Sequence, residues 1–251
     1  MINFDQYLTD LLELAKPFSK SSIVSSRINL ITNFDQQLKK QKIPTQNLTK
    51  LVFSESEIIS LAEINFDLKR IEDLDYYLSY FRQYLQEKYG YWATITEPFL
   101  KSLTQNFSFE TSLELMAGNG YISKYLHDQG ITAYATDSMA WSKESETGKK
   151  ELIPIEKLDA LAAFEKYYDK VDVIFLAWSP DFDEIDYQIL EKYRKIKQSK
   201  PKFFIIGEQN GATNSKKFWN SVNIIDSLCV SEVNKNYSNY DIIEDQLYLI
   251  D

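Results

Sequence analysis

Three residue types that usually carry identifiable chemistry are scarce in this sequence. Its 251 residues include one cysteine, Cys229, and one histidine, His127. A lone cysteine excludes an internal disulfide, and one histidine with one cysteine cannot supply the usual zinc ligand sets. No metal is therefore expected, and a histidine-dependent triad would have to use His127. That residue falls in the last turn of a predicted helix, where favourable charge at a helix C-terminus explains it. Clustered positive charge is also missing. Acidic residues outnumber basic ones 37 to 28, the formal net charge is −9, and the only arginines are Arg27, Arg70, Arg82 and Arg194. The lysine pairs at 39–40, 149–150 and 216–217 are scattered. Affinity for nucleic acid rests on grouped Lys and Arg, so a nucleic-acid substrate is disfavoured. The longest strongly apolar run, residues 173–178, is far short of the ~20 residues of a membrane-spanning helix. The first residues, Met1 to Asp5, lack the basic and apolar segments of a secretory leader. These absences predict a soluble, cytoplasmic chain with no membrane association.

Glycine is the fourth scarcity, with seven in the whole chain and the first at Gly90. Against a usual share of ~7%, such economy suggests that each glycine stands where the backbone needs it. What remains is globular in composition, 44% hydrophobic and 26% charged, and long enough for a substantial core.

The hydrophobic period divides the chain in two. Residues 1–90 read as helical, with Leu8, Leu11, Leu12 and Ala15 on one face and Val24, Ile28, Ile31, Phe34 and Leu38 on another. Ser21-Ser22 and Ser54 or Ser56 are start signals, and Pro44 ends the second unit. Ile71, Leu74, Leu78, Phe81 and Leu85 then step 3, 4, 3, 4, the narrow stripe of a bundle seam. Packing inside the chain is the favoured use of that stripe, and a homodimer through the N-terminal helices is the other. Gly90 is expected to end the helix as a left-handed cap.

From residue 91 short apolar runs alternate with helical stretches. The runs cover residues 112–116, 133–136, 152–155, 171–177 and 202–206, with two more strands expected at 228–232 and 246–250 after a helix near Phe218. This alternation predicts an α/β fold: a doubly wound, mostly parallel sheet with an N-terminal helical domain. The expected division is 1–90, a lid or interaction domain, and 91–251, a ligand-binding domain.

Two of the glycines follow the first strong strand, in Glu114-Leu115-Met116-Ala117-Gly118-Asn119-Gly120. A helix comes next, and the second strand ends at Asp137, 17 residues after Gly120. Ligands of such sheets bind outside the carboxyl ends of the strands. Glycines there let the backbone approach a ligand, and an acid ending the second strand can accept both hydroxyls of a ribose. A dinucleotide loop would continue to a third glycine, but Ser123 stands there. Glu114 is also badly placed beside a pyrophosphate, because like charges repel in a half-buried cleft. A nucleoside ligand with a positive charge and no phosphate suits this loop better.

These residues resemble the first motif of the Rossmann-like (class I) S-adenosylmethionine-dependent methyltransferases, an acid, any residue, then G-x-G-x-G. Glu114 matches the acid, Gly118 and Gly120 match the later glycines, and Met116 stands where the first glycine is usual. The resemblance covers about residues 91–251. It implies S-adenosylmethionine as cofactor, held by Glu114, Met116, Ala117, Gly118, Asn119 and Gly120, with Asp137 on the ribose and Ser138 beside it. Asp159, in Leu158-Asp159-Ala160, is similar to the acid near the adenine. Residues 171–180 look like the motif whose strand ends at the transfer site, placing Ala177 against the cofactor and Trp178, Ser179 and Asp181 toward the acceptor. An N-cap role competes for Asp181. Glu208, beside Gly207 and Gly211, is a further acceptor-side candidate, and Trp92 is expected to fold over the cofactor. The function this implies is methyl transfer to an unidentified, small-molecule acceptor. The alternative is a non-catalytic adenosine-ligand module with a helical partner-binding domain.

Overall fold

The computed structural model describes residues 2–143, 146–197 and 200–251. Five helices fill the first ninety residues: α1 (Tyr7–Ala15), α2 (Ser22–Lys39), α3 (Glu55–Ile64), α4 (Leu68–Ser79) and α5 (Phe81–Tyr89). Ser54 starts α3 with a capping box, its hydroxyl accepting from the Glu57 amide while Glu57 accepts from the Ser54 amide. Gly90 ends α5 at φ 56°, ψ 34°. The predicted seam is one stripe on two helices, because the ladder breaks at Tyr80. Every member of it, from Ile71 to Leu85, is at most 2% exposed. The stripe packs with Tyr7, Leu11 and Phe34 inside the same chain, so it is not a free seam for a partner.

Helix α6 (Glu97–Asn106) leads into the sheet, followed by β1 (Thr111–Leu115), α7 (Tyr121–Asp128), β2 (Thr132–Asp137), β3 (Glu156–Lys157), α8 (Ala160–Tyr167), β4 (Val173–Ala177), α9 (Ile185–Tyr193), β5 (Lys202–Gly207), α10 (Lys216–Ser221), α11 (Leu228–Asn234) and β6 (Gln246–Ile250). Among the described residues the strands form one sheet in the order β3-β2-β1-β4-β5-β6. All pairings are parallel except that of β6, which runs antiparallel to β5. This is the doubly wound, mostly parallel α/β sheet that the alternating runs predict.

Strand alternation sorts the core into two layers. Val173, Phe175, Phe204, Ile206, Leu247 and Leu249 face α6, α7, α11 and the N-terminal helices in one continuous cluster. Ile174, Leu176, Phe203, Ile205, Tyr248 and Ile250 face α8, α9 and α10 in the other. Successive residues point to opposite faces, and both faces are covered, so the strands read as unbroken apolar runs.

Two expected strands differ. Residues 228–232 lie in α11, because Val230 and Val233, three apart, form one buried helical face that packs with α6. Asn234 ends that helix with its side chain on the edge of β6, donating to the Leu247 carbonyl at 2.9 Å and accepting from the Leu247 amide at 2.9 Å. One side chain thereby occupies hydrogen-bonding positions that another strand could otherwise take. The run 152–155 is not a strand either, and pairing begins only at Glu156. Its residues cover the loop after β1 instead: Leu152 donates to the Asn119 carbonyl, and Ile153 fills the place a Cβ on Gly120 would take, 2.9 Å away.

Candidate active site

At the centre of the sheet the chain leaves β1 for α7 on one face and β4 for α9 on the other. This switch of direction opens a crevice at the carboxyl ends of the two strands. The cleft there is walled by the ends of β1, β2 and β4, by Trp92, Ala93 and Ile95 from the segment before α6, and by Trp141 and Thr147 from the segment after β2.

Its floor is a strained turn. Met116 leaves β1 at φ 53°, and Gly118 and Gly120 follow at φ 57° and 78°. The left-handed region accepts glycine freely but is uncommon for a side chain such as methionine. Met116 therefore adopts a left-handed backbone at the position where the resemblance would put a glycine. The Ala117 amide donates to Thr136, and the Gly118 amide donates to Asp137 Oδ2 at 2.9 Å, tying the turn to the end of β2. The other oxygen of Asp137 accepts from the Met139 amide at 2.6 Å. Each oxygen keeps a lone pair for a ligand, and the carboxylate is buried on the cleft wall.

Glu114 lies on the same wall, on the face of β1 that meets α7. Its Oε2 accepts from the Ser123 amide in the first turn of α7 at 2.8 Å. Burial pushes its carboxyl up to about 7, and the neighbouring Asp137 charge adds to the rise. Ser123, which occupies the place of a third glycine, thus anchors the acid. Two acids, Glu114 and Asp137, share the inner cleft, and no Lys, Arg or His lines it among the described residues.

Three of the four tryptophans converge here. Phe182, Trp141, Trp92 and Trp178 form a chain of rings with centroid separations of 6.1, 6.4 and 6.1 Å. Trp178 sits at φ 54°, a second strained residue at a strand end. Its indole donates to Asp245 Oδ2 at 2.7 Å, as does the Tyr237 hydroxyl. The buried Arg82 of α5 holds this wall from behind. It pairs with both oxygens of Asp241, reaches Asp245 at 3.5 Å, donates to the Trp92 carbonyl at 3.2 Å and lies 5.0 Å from the Trp178 ring centre. Trp92 donates its own indole proton to Thr147 at 2.9 Å.

The end of β4 supplies Ala177, Ser179, Pro180 and Asp181 to the wall. Ser179 is 1% exposed, and its hydroxyl has no hydrogen-bond partner among the described residues. A buried hydroxyl without a partner is costly unless something else satisfies it. Asp181 is exposed at the mouth and does not cap the following helix, which begins at Ile185 after an Asp183 turn.

The structure thus brings Glu114, Met116, Ala117, Gly118, Asp137, Ser138, Trp92, Ala177, Trp178, Ser179 and Asp181 to one cleft. Four expected site residues lie elsewhere. Asn119 is turned away to bind the Tyr89 and Glu146 carbonyls. Gly120 is covered by Ile153. Asp159 caps α8, accepting from the Ala162 amide. Glu208 folds over its own loop, accepting from the Ala212 and Glu244 amides. His127 stands exposed on α7, outside the cleft. Trp141, Phe182, Arg82 and Asp245 were not expected at or behind the cleft. The rarity of tryptophan was a usable signal for Trp141, whereas Arg82 and Asp245 are 163 residues apart and carried none.

No family model and no curated protein matches the chain in sequence. Several solved structures are similar in shape at low identity. A Streptococcus pneumoniae protein assigned as a tRNA (m1A22) methyltransferase is 17% identical, over 62% of this chain and 69% of that one, with a TM-score of 0.37. The mitomycin 7-O-methyltransferase is 12% identical over 94% and 72%, with a TM-score of 0.36. MtNAS in complex with MTA and tNA is 11% identical over 98% and 96%, with a TM-score of 0.38. On its own topology, this chain is a Rossmann-like α/β protein with a cleft at the switch point of its sheet.

Proposed function

We propose that the protein is an S-adenosylmethionine-dependent methyltransferase acting on a small-molecule acceptor. The observation that carries this reading is the charge of the inner cleft: two buried acids, Glu114 and Asp137, flank a left-handed turn, with no basic side chain among the described lining residues. A pyrophosphate would meet two carboxylates and no cation there. An adenosine that carries an ammonium and a sulfonium meets complementary charge.

When bound, S-adenosylmethionine supplies a methyl group already activated on sulfur. The chain's part is to bind, orient and exclude water. Glu114 and the amides of the turn would hold the cationic end, and Asp137 would accept the ribose hydroxyls with Ser138 beside it. Trp178 and Trp92 would keep water from the sulfonium and attract it with their ring faces. Ser179 and Asp181 would orient the acceptor, and accurate orientation is the largest contribution open to such a site. Residues 1–90 would serve as a buttress, because Arg82 fixes both tryptophans.

Ligand-linked stability tests this reading. S-adenosylhomocysteine at about a hundred times its dissociation constant should stabilise the protein by roughly 2.7 kcal/mol, seen as a raised melting temperature. Asp137→Ala should abolish most of that rise. A clear shift with NAD and none with S-adenosylhomocysteine would overturn it.

A further inference from the structure

The cleft has an outer half that the adenosine reading leaves unused. Phe182 is 75% exposed, yet its ring belongs to the aromatic chain through Trp141. Phe182 carries the row of rings to the mouth of the cleft, so its open face is presented to whatever enters. Beside it stands Asp181, whose carboxylate has no ion pair among the described residues. The neighbouring acids are engaged: Glu184 pairs with Lys217 at 2.8 Å, and Asp183 accepts from the Ile185 amide at 3.0 Å. Two residues inward, Ser179 lines the cleft, and its buried hydroxyl lacks a partner among the described residues. The outer half therefore offers ring faces, one free carboxylate and one hydroxyl, and the described lining offers no positive charge.

We propose that this half selects an aromatic small molecule bearing a positive charge, its ring against Phe182 and Trp141, its cationic group toward Asp181 and a polar atom on Ser179. The proposal rests on the reading that a nucleoside cofactor fills the inner half. Ring faces attract rings and cations alike, whereas an anion would meet Asp181 and the inner acids with nothing to neutralise it. The same charge pattern turns away phosphate backbones.

The test is calorimetric titration of the full chain, with and without saturating S-adenosylhomocysteine, using three probes of similar size. These are 2-phenylethylamine, 3-phenylpropionate and 2-cyclohexylethylamine. The amine with the aromatic ring should bind about tenfold more tightly than either of the others, the scale of one aromatic ring pair against the cyclohexyl amine and of one charge pair against the carboxylate. Asp181→Asn should bring 2-phenylethylamine and 3-phenylpropionate to within about threefold, and the preference should weaken in salt. Phe182→Ala should remove most of the preference over the cyclohexyl amine. Both side chains are exposed, so neither change threatens the fold. Equal or tighter binding of 3-phenylpropionate, or no binding of 2-phenylethylamine, overturns the proposal. Discrimination among the probes without any S-adenosylhomocysteine binding would overturn the cofactor reading and, with it, the division of the cleft on which this proposal rests. The converse result would overturn this proposal alone.

Discussion

The two ends of the sheet are built on opposite terms. At the amino end Asp172 accepts from the Glu110 amide, the Thr111 amide and the Thr111 hydroxyl, each at 2.9 Å. Those donors hold its carboxyl below the usual value of 3.8, so its charge is welcome. At the carboxyl end Glu114 is buried and its carboxyl is raised to about 7, and Met116 and Trp178 sit in left-handed conformations. Each end holds one buried serine hydroxyl without a partner among the described residues, Ser112 and Ser179, but the left-handed strain and the raised acid gather at the carboxyl end. Such features persist where the surrounding structure enforces them, and they gather at functional sites.

The contrast breaks most readily at Arg82. Arg82→Ala leaves Asp241 and the fully buried Asp245 without their cation and should cost about 3–5 kcal/mol in urea unfolding. It should also blunt the response to S-adenosylhomocysteine, because Trp178 and Trp92 lose their support. A cost no larger than that of a change at the amino end would refute the contrast. Glu114→Gln comes next, and it should act in the opposite sense. A carboxyl raised from 4.5 to about 7 makes a contribution to stability that is fully present below pH 4.5 and is lost as pH climbs through 7. The glutamine variant should flatten this slope, gain about 1–3 kcal/mol at neutral to mildly alkaline pH, and lose cofactor affinity. In the parent protein, affinity for a cationic ligand should rise through pH 7, with proton release visible in buffers of different ionisation heat.

Asp172→Ala is the control at the other end. It should cost about 1 kcal/mol, since water can replace an exposed acceptor, and leave the ligand response intact. Its pH signature is reversed, because a depressed carboxyl stabilises the fold above its usual range and loses that effect as pH falls below 3.8. The smallest effect is a pair of substitutions at Met116. Both delete the same side chain, yet Met116→Gly should be more stable than Met116→Ala by about 1 kcal/mol, reversing the ordinary order because φ is positive. Equal stabilities would mean that the turn is unstrained.

The sequence displayed what is periodic or local. The alternating runs predicted the sheet, and a strand, two glycines and an acid located the cleft within a few residues. Where local pattern misled, tertiary packing decided. Residues 228–232 carry apolar side chains that suit a strand or a helix face equally, and the position of α6 chose the helix. Asp159 and Glu208 satisfied spacing, but nearby amides claimed their carboxylates. Arg82 was illegible because its role exists only once α5 and the loop before β6 meet.

The aromatic chain has an optical consequence. Trp92, Trp141 and Trp178 have neighbouring ring centres no more than 6.4 Å apart, while Trp219 is buried between Phe218 and Tyr248. Chromophores this close share their excitations, so the near-ultraviolet circular dichroism of the chain should carry a signal that belongs to the cleft. Any molecule sliding between those rings would rewrite that signal, and the protein would report its own occupancy without a label.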